Sequence, residues 1–414
     1  MPANDATLLV FDDGSSTLGP LTRRLARFEL LTGGCTTLDR IERVLGRAVD
    51  ALIVPRMLEA GVYKRTQRPT NPRLEAKRVL AVHGGWHALD HTDRVASLQA
   101  GEALVQPTGD VVAANLDPAE AEKLARGEPL PASVSKQTLQ EPALFERPWD
   151  LVRLLPRTLP ADLAGFDDPE HYPEMPTGHV AGLSVVGEHP VRIHRSARVV
   201  PPVTFDASGG PIVIDHAAEL RPFVAIRGPV YVGRRTVIAP HASLRPHTAI
   251  GPDGRVGGEV SQSVIQAYSN KAHAGYLGNA CVGQWCNLGA DTTVSNLKNT
   301  YGPIRIQLEP HEPSIDTGLT HQGPILGDMV RTAIGTRIPT GGCIDLASSL
   351  ALSTFAPKYT PPFTWATDAG AETYDLPRLL RAISMAMARR GEELDDDETH
   401  ILTQLHQQHA APHA

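Results

Sequence analysis

Cysteine is scarce in this 414-residue chain. The four present, Cys35, Cys281, Cys286 and Cys343, fall in no zinc-finger or redox spacing. They suit a reducing compartment and read as small buried side chains. Aromatic residues make up only 5%, whereas glycine (36) and proline (35) are enriched, a balance that fits short strands joined by corners. Excess positive charge is absent too. With 39 Lys and Arg against 46 Asp and Glu the formal charge is -7, which argues against a general nucleic-acid surface. No apolar run approaches the roughly 20 residues that a membrane helix needs. The start MPANDATLLVFDDG has no basic segment followed by an apolar one, so the expectation is a cytoplasmic protein with no membrane partner. The length implies two or three structural units.

What the chain does have is a strict period. Ile214, Leu220, Ile226, Val232, Ile238, Leu244, Ile250 and Val256 stand at every sixth position. A helix repeats near 3.6 residues and a strand near 2, so neither accounts for it as an isolated element. Hexapeptide repeats build a prism, a left-handed parallel β-helix in which each face contributes one inward aliphatic side chain. Such a prism has no deep pocket, which places any chemistry on its outer faces or between copies.

Three regions follow. Residues 1–176 alternate strands (Thr7 to Phe11, Ala51 to Val54, Val79 to Val82) with helices (Thr37 to Leu45, and one capped by Asp117 and closed by Gly127). This is an α/β pattern, and the segment RPWDLVRLLPRTLPADL reads as its helical connector. Residues 177–356 carry the β-helix. Its phase is lost near Gln262, returns at Val282, Leu288 and Val294, breaks for a long loop between Asn296 and Gly323, and resumes at Ile338 and Ile344. Residues 357–414 form a C-terminal extension. Its amphipathic helix bears Leu376, Leu379, Leu380, Ile383 and Met387 on one side, with Asp375 to cap it and Gly391 to end it.

The loss of phase between Ser261 and Gly278 is where chemistry is expected, because polar residues there serve no need of the coil. His273 suits a general base at working pH. Tyr276 and Asn287 stand at spacings that return to neighbouring coils. Acyl transfer to an amine needs such a base, and a donor for the developing oxyanion. Backbone at Gly289 and Ala290 could supply the donor, with Asn287 and Asn296 as the side-chain alternative or as holders of a sugar.

The segment from about Gly209 to Tyr301 resembles the acetyltransferase half of the bifunctional N-acetylglucosamine-phosphate uridylyltransferase and glucosamine-phosphate N-acetyltransferase family. The pattern is carried by Lys271, His273, Tyr276, Leu277, Gly278, Asn287, Gly289 and Ala290. The resemblance implies His273 as base, Arg245, Tyr276 and Asn287 as holders of the sugar phosphate, and Glu259 and Asn296 at the acceptor. It also implies acetyl-CoA against Ala290, and a homotrimer with sites between prisms. The family's further lysines fall at Ser261 and Gly302 and a tyrosine at Leu297, which leaves Lys271 or Lys298 as substitutes for the phosphate.

The N-terminal region resembles the nucleotidyltransferase half, with LLVFDDGSSTLGPLTRR in place of the glycine-rich phosphate loop. Together with PWDL, it marks the chain as similar to a divergent, sugar nucleotidyltransferase-like branch. Asp12, Gly14, Arg23 and Arg24 are then the candidates for a nucleoside triphosphate. Asp12 and Asp13 either bind Mg2+ with the phosphates or cap the next turn. Two other readings compete. A zinc-dependent carbonic anhydrase needs three protein ligands, and His216, His241, His247, His273 and His321 do not pair at short spacing. An oligomeric scaffold or sugar-nucleotide sensor would keep the fold with decayed sites.

Overall fold

A computed structural model describes residues 6–410; the outermost positions of the first and last regions, 1–5 and 411–414, lie outside the described residues. The chain divides into two compact units. The first comprises residues up to Leu18, Arg24–Leu30 and Cys35–Arg147, and the second Gly19–Arg23, Leu31–Gly34 and everything from Pro148 onward. The compact units part at residue 147, inside the region 1–176 delimited from the sequence. The connector RPWDLVRLLPRTLPADL belongs to the second unit, where its Leu151, Leu155, Leu159 and Leu163 are buried.

The first unit is built on a six-stranded mixed sheet of β1 (Thr7–Phe11), β2 (Ala51–Ile53), β3 (Val79–His83), β4 (Glu102–Val105), β5 (Val111–Leu116) and β6 (Ser135–Thr138). The spatial order is β2-β1-β3-β5-β4-β6, with β1 parallel to both β2 and β3. The run TLLVF buries both of its faces, as strands of parallel sheets do. Leu8 and Val10 pack with Leu38 and Ile41 of helix α1 (Thr37–Leu45), while Leu9 and Phe11 pack on the side of Ala121 and Leu124. Asp117 caps the helix Pro118–Ala125 by accepting from the Glu120 amide, and Gly127 follows it with positive φ.

In the second unit, strands Ile212–Ile214, Glu219–Leu220 and Val224–Arg227 fall in three different sheets, and Val230–Val232 then pairs back onto the first. This is a parallel β-helix with three faces, of nine, ten and seven strands. All eight aliphatic residues of the period are buried in one continuous core. Their register partners stack directly, as in the row Val199, Leu220, Ile238, Val256.

The coil does not break between Ser261 and Gly278. Every strand there pairs in register with its neighbours. What changes is corner length. Val256 and Val260 are both inward but four residues apart, and Val260 and Ile265 five. The corner at Gly257–Gly258 is shortened, with Gly258 at φ 68°. The excursion after Asn296 does leave the coil, carrying an antiparallel pair, Arg305–Ile306 with Ile315–Asp316, before Ile325 pairs back onto Cys281. Strands continue past residue 356, through Tyr359–Thr360 and Thr364–Thr367. The C-terminal helices follow at Leu376–Ala388 and Asp396–Ala410. Asp375 caps the first, which buries Leu379, Ile383 and Met387, and Gly391 lies just beyond it at φ 75°.

Two N-terminal segments are folded into this unit. Gln266 receives the Leu31 amide and donates to the Leu31 carbonyl, each at 2.9 Å. Arg23 is bound to Asp345 at 2.7 Å and to Glu309 at 2.9 Å. Cys281 and Cys286 are buried, their thiols donating to the carbonyls of Pro148 and Gly327, and burial raises both pKa values, that of Cys286 to about 12. Cys343 is buried as well, whereas Cys35 is partly exposed.

Candidate functional site

His273 stands exposed in the turn between strands Asn270–Lys271 and Tyr276–Gly278. With Asn287, Gly289 and Ala290 it lines a cleft of about 1080 Å³. The far wall is the helix Leu376–Ala388, held by Arg331, whose guanidinium donates to the Ala382 carbonyl at 3.0 Å. Arg255, Arg389 and Arg390 also face the cleft. Burial and the guanidinium of Arg255 push Arg390 below the usual arginine range, with Arg389 adding to the effect. Such a concentration of positive charge suits a ligand with several negative charges. Tyr268 and Trp285 line the cleft too, their rings stacked at 4.1 Å and nearly parallel. The Tyr268 hydroxyl donates to Glu392 at 2.9 Å.

The remaining candidates gather on another face, where Ser243, Glu259 and Tyr276 are register partners on successive coils. Arg245 donates to Glu259 at 2.7 Å. Asn296 donates to the Tyr276 hydroxyl at 3.1 Å and to Asn279 at 2.7 Å. Burial raises the Tyr276 pKa, so the phenol stays protonated. The sequence pattern thus resolves into two groups, one on each side of the corner that carries His273.

Two expectations in this unit need correcting, those for Lys271 and Gly289. Lys271 does not face a phosphate: it occupies the inward place beneath Val256, and its ammonium donates to the carbonyls of Gly257 and His273. Gly289 does not offer its N–H outward, because that group donates to the backbone and hydroxyl oxygens of Thr332. The Lys298 ammonium donates to the Pro303 carbonyl within the excursion.

A second cleft, about 860 Å³, opens in the first unit beyond the C-terminal ends of β1 and β2, where open α/β sheets bind ligands. Asp12, Asp13, Gly14, Arg56, Arg73 and Arg126 line it. Asp12 accepts from the backbone N–H of Arg27 at 2.7 Å, from its Nε at 3.1 Å and from the Gly14 N–H at 3.0 Å. The same guanidinium donates to Asp13 at 3.1 Å and to Ser15. His83 accepts the Gly85 amide at Nδ1 and approaches Asp13 with Nε2 at 3.9 Å. Burial would raise the Asp13 pKa, but His83 and Arg27 outweigh it and hold the carboxyl well below its usual range. These residues do not fit a magnesium ion, because a buried guanidinium already bridges the two carboxylates. The Gly14 N–H is turned to Asp12, Arg23 belongs to the second unit, and Arg24 is buried.

Sequence reasoning missed Arg27 and His83, as well as the arginines and stacked aromatics of the larger cleft. One signal was available. Tyr268 and Trp285 are separated by the same interval as the paired Asn270 and Asn287, hence one coil apart.

Residues 8–168 match the family described as sugar nucleotidyl transferase. The match takes in nearly all of the first unit, which is thus nucleotidyltransferase-like, and runs into the start of the second. The bifunctional sugar-1-phosphate nucleotidylyltransferase/acetyltransferase of Sulfurisphaera tokodaii is 31% identical over 134 residues, 32% of this chain and 33% of that protein. The bifunctional protein GlmU of Jannaschia sp. is 32% identical over 106 residues, 25% of this chain and 22% of that protein. The chain thus spans one third or less of these curated relatives, and the likeness is that of a divergent branch. A solved structure of an AntD variant, an N-acyltransferase from Bacillus cereus in complex with dTDP and coenzyme A, is 12% identical. It covers 52% of this chain and 100% of that one, with a TM-score of 0.20.

Proposed function

We propose that the second unit is an acyl-CoA-dependent N-acyltransferase acting on an amino-sugar phosphate. The observation that carries this reading is the single cleft that joins His273 to Asn287, Ala290 and a set of arginines. Acetyl-CoA supplies the activated acyl group. Arg255, Arg389 and Arg390 bind its phosphates, and Ala290 contributes the backbone contact that the family resemblance implies. The imidazole of His273 takes the proton that the acceptor amine must shed, leaving orientation and charge balance to the walls. Arg245 and Tyr276 hold the sugar phosphate, with Glu259 and Asn296 beside the amine. The family resemblance implies a homotrimer with sites between adjacent prisms, and two groups on different faces of one prism suit a site completed across such an interface.

The test is release of free thiol from acetyl-CoA and glucosamine 1-phosphate. Substitution His273→Ala lowers turnover about 10²- to 10⁴-fold, the range for loss of a general base. Absence of thiol release at any pH, or a His273→Ala variant equal to wild type, overturns the reading.

For the first unit, the bridge of Arg27 between Asp12 and Asp13 favours a site that binds a nucleotide or sugar phosphate through Arg56, Arg73 and Arg126 without metal-assisted transfer. Calorimetric binding of a nucleoside triphosphate that is unchanged by chelator, with no pyrophosphate formed, is the expected result.

A further inference from the structure

One row of the coil interior runs Val199, Leu220, Ile238, Val256, Lys271, with Leu288 on the following coil. A lysine in that row is out of place on hydrophobicity alone. Its side chain is 3% exposed, and an ammonium so buried is tolerated only when its donors are met. They are met by main chain. Nζ donates to the Gly257 carbonyl at 2.9 Å, to His273 at 2.7 Å and to Ala274 at 3.4 Å. Two of these carbonyls belong to the turn that presents His273. The third belongs to the short corner leading to Glu259, and the Gly257 N–H returns a bond to the Lys271 carbonyl. The corner is fitted to the ammonium: a side chain at Gly258 would place its Cβ 2.9 Å from Nζ and 2.9 Å from the His273 carbonyl.

We propose that Lys271 is the positioning residue of the acyl-transfer site, its charged ammonium fixing the turn that carries His273 against the corner that carries Glu259. The inference rests on His273 being the base. An ammonium has three protons for three carbonyls, and a neutral amine has two and a lone pair, which repels the third. Burial lowers the Lys271 pKa to about 8, with Asp291 opposing; His273 is the other ionisable group on the same turn. Deprotonation in that region therefore frees one carbonyl of the turn and slows catalysis, while the coil stays folded because a buried neutral amine costs the fold less than the ammonium.

The experiment compares wild type, Lys271→Met, His273→Ala and the double variant by thiol release between pH 6 and 10, with circular dichroism as the check on folding. Lys271→Met is expected to lower kcat at neutral pH by 10- to 100-fold and to change KM for acetyl-CoA by less than threefold. It should also lack the fall in kcat that wild type shows above pH 8. Adding it to His273→Ala should cause no further loss, as for two residues acting as a unit. A His273→Ala variant that is inactive beside a Lys271→Met variant with unchanged kcat overturns the positioning role and leaves the base intact. A His273→Ala variant equal to wild type removes the base itself. Should Lys271→Met fail to fold, the wild-type profile decides: a kcat that stays flat to pH 10 overturns the proposal.

Discussion

At the scale of single residues, the two clefts share a device, a buried cation satisfied from within the fold. Arg27 is held by two carboxylates, Lys271 by carbonyls. Removing one partner of a buried ion pair leaves an uncompensated charge, at about 3–5 kcal/mol. Arg27→Leu should therefore destabilise the first unit by roughly that amount, read as a shift in its urea midpoint. The companion change Asp12→Asn should recover part of the loss; an unaltered midpoint would mean that the bridge contributes nothing. His273, Asn287 and Ala290 were legible in the sequence as a pattern, and the structure brings them to one cleft. Lys271 was legible as a residue but not as a direction. With the phase slipped, nothing in the sequence says which side chain points inward, and a lysine is the last residue expected there.

Among elements, the corners decide more than the strands. Aliphatic spacing revealed the prism wherever corners keep a constant length, and failed at Gly257–Gly258, where the corner is short and the next inward residue of that row is Lys271. The apparent interruption was a change of step within an unbroken coil. Gly258 combines φ 68° with backbone oxygens of Gly275 and His273 at 2.8 and 2.9 Å from a would-be Cβ. Gly258→Ala should cost about 1–3 kcal/mol, the range for strained backbone, measured by thermal unfolding, and should lower kcat with it. A variant as stable as wild type would show that the corner has room to spare. The helix Leu376–Ala388 was legible down to its cap, because spacing and an Asp N-cap are local signals. Its role as a cleft wall was not, since that depends on Arg331 reaching Ala382 across the fold. Asp375→Ala should lose about 1 kcal/mol of stability, read as a fall in the urea midpoint of the second unit; an unchanged midpoint would mean that the cap contributes nothing.

For the whole molecule, the two units respond to pH in the same sense but over different windows. The folded pKa of Asp13 lies below its unfolded value, so its contribution to the first unit is full above the ordinary carboxylate pKa and is lost as pH falls below it. Lys271 is depressed as well, but it is a base. Its protonation is disfavoured in the folded state, so the second unit gains stability as pH rises from about 8 towards the unfolded lysine value. Urea unfolding followed by a probe in each unit should show the first midpoint falling in acid and the second rising in mild alkali. A second midpoint unchanged between pH 7 and 10 would contradict the assignment of Lys271. Among the described residues no helix is long and apolar enough to cross a membrane.

The chain enters the second unit twice, at Gly19–Arg23 and Leu31–Gly34, before it has finished the first. Two compact units of one chain are commonly separated by cutting the gene between them, and here no single cut does so. A fragment beginning at Pro148 would strip Gln266 of both its Leu31 bonds and leave Asp345 and Glu309 without Arg23. The second unit thus depends on residues encoded far upstream of it, and a truncation meant to isolate it would remove part of its own structure.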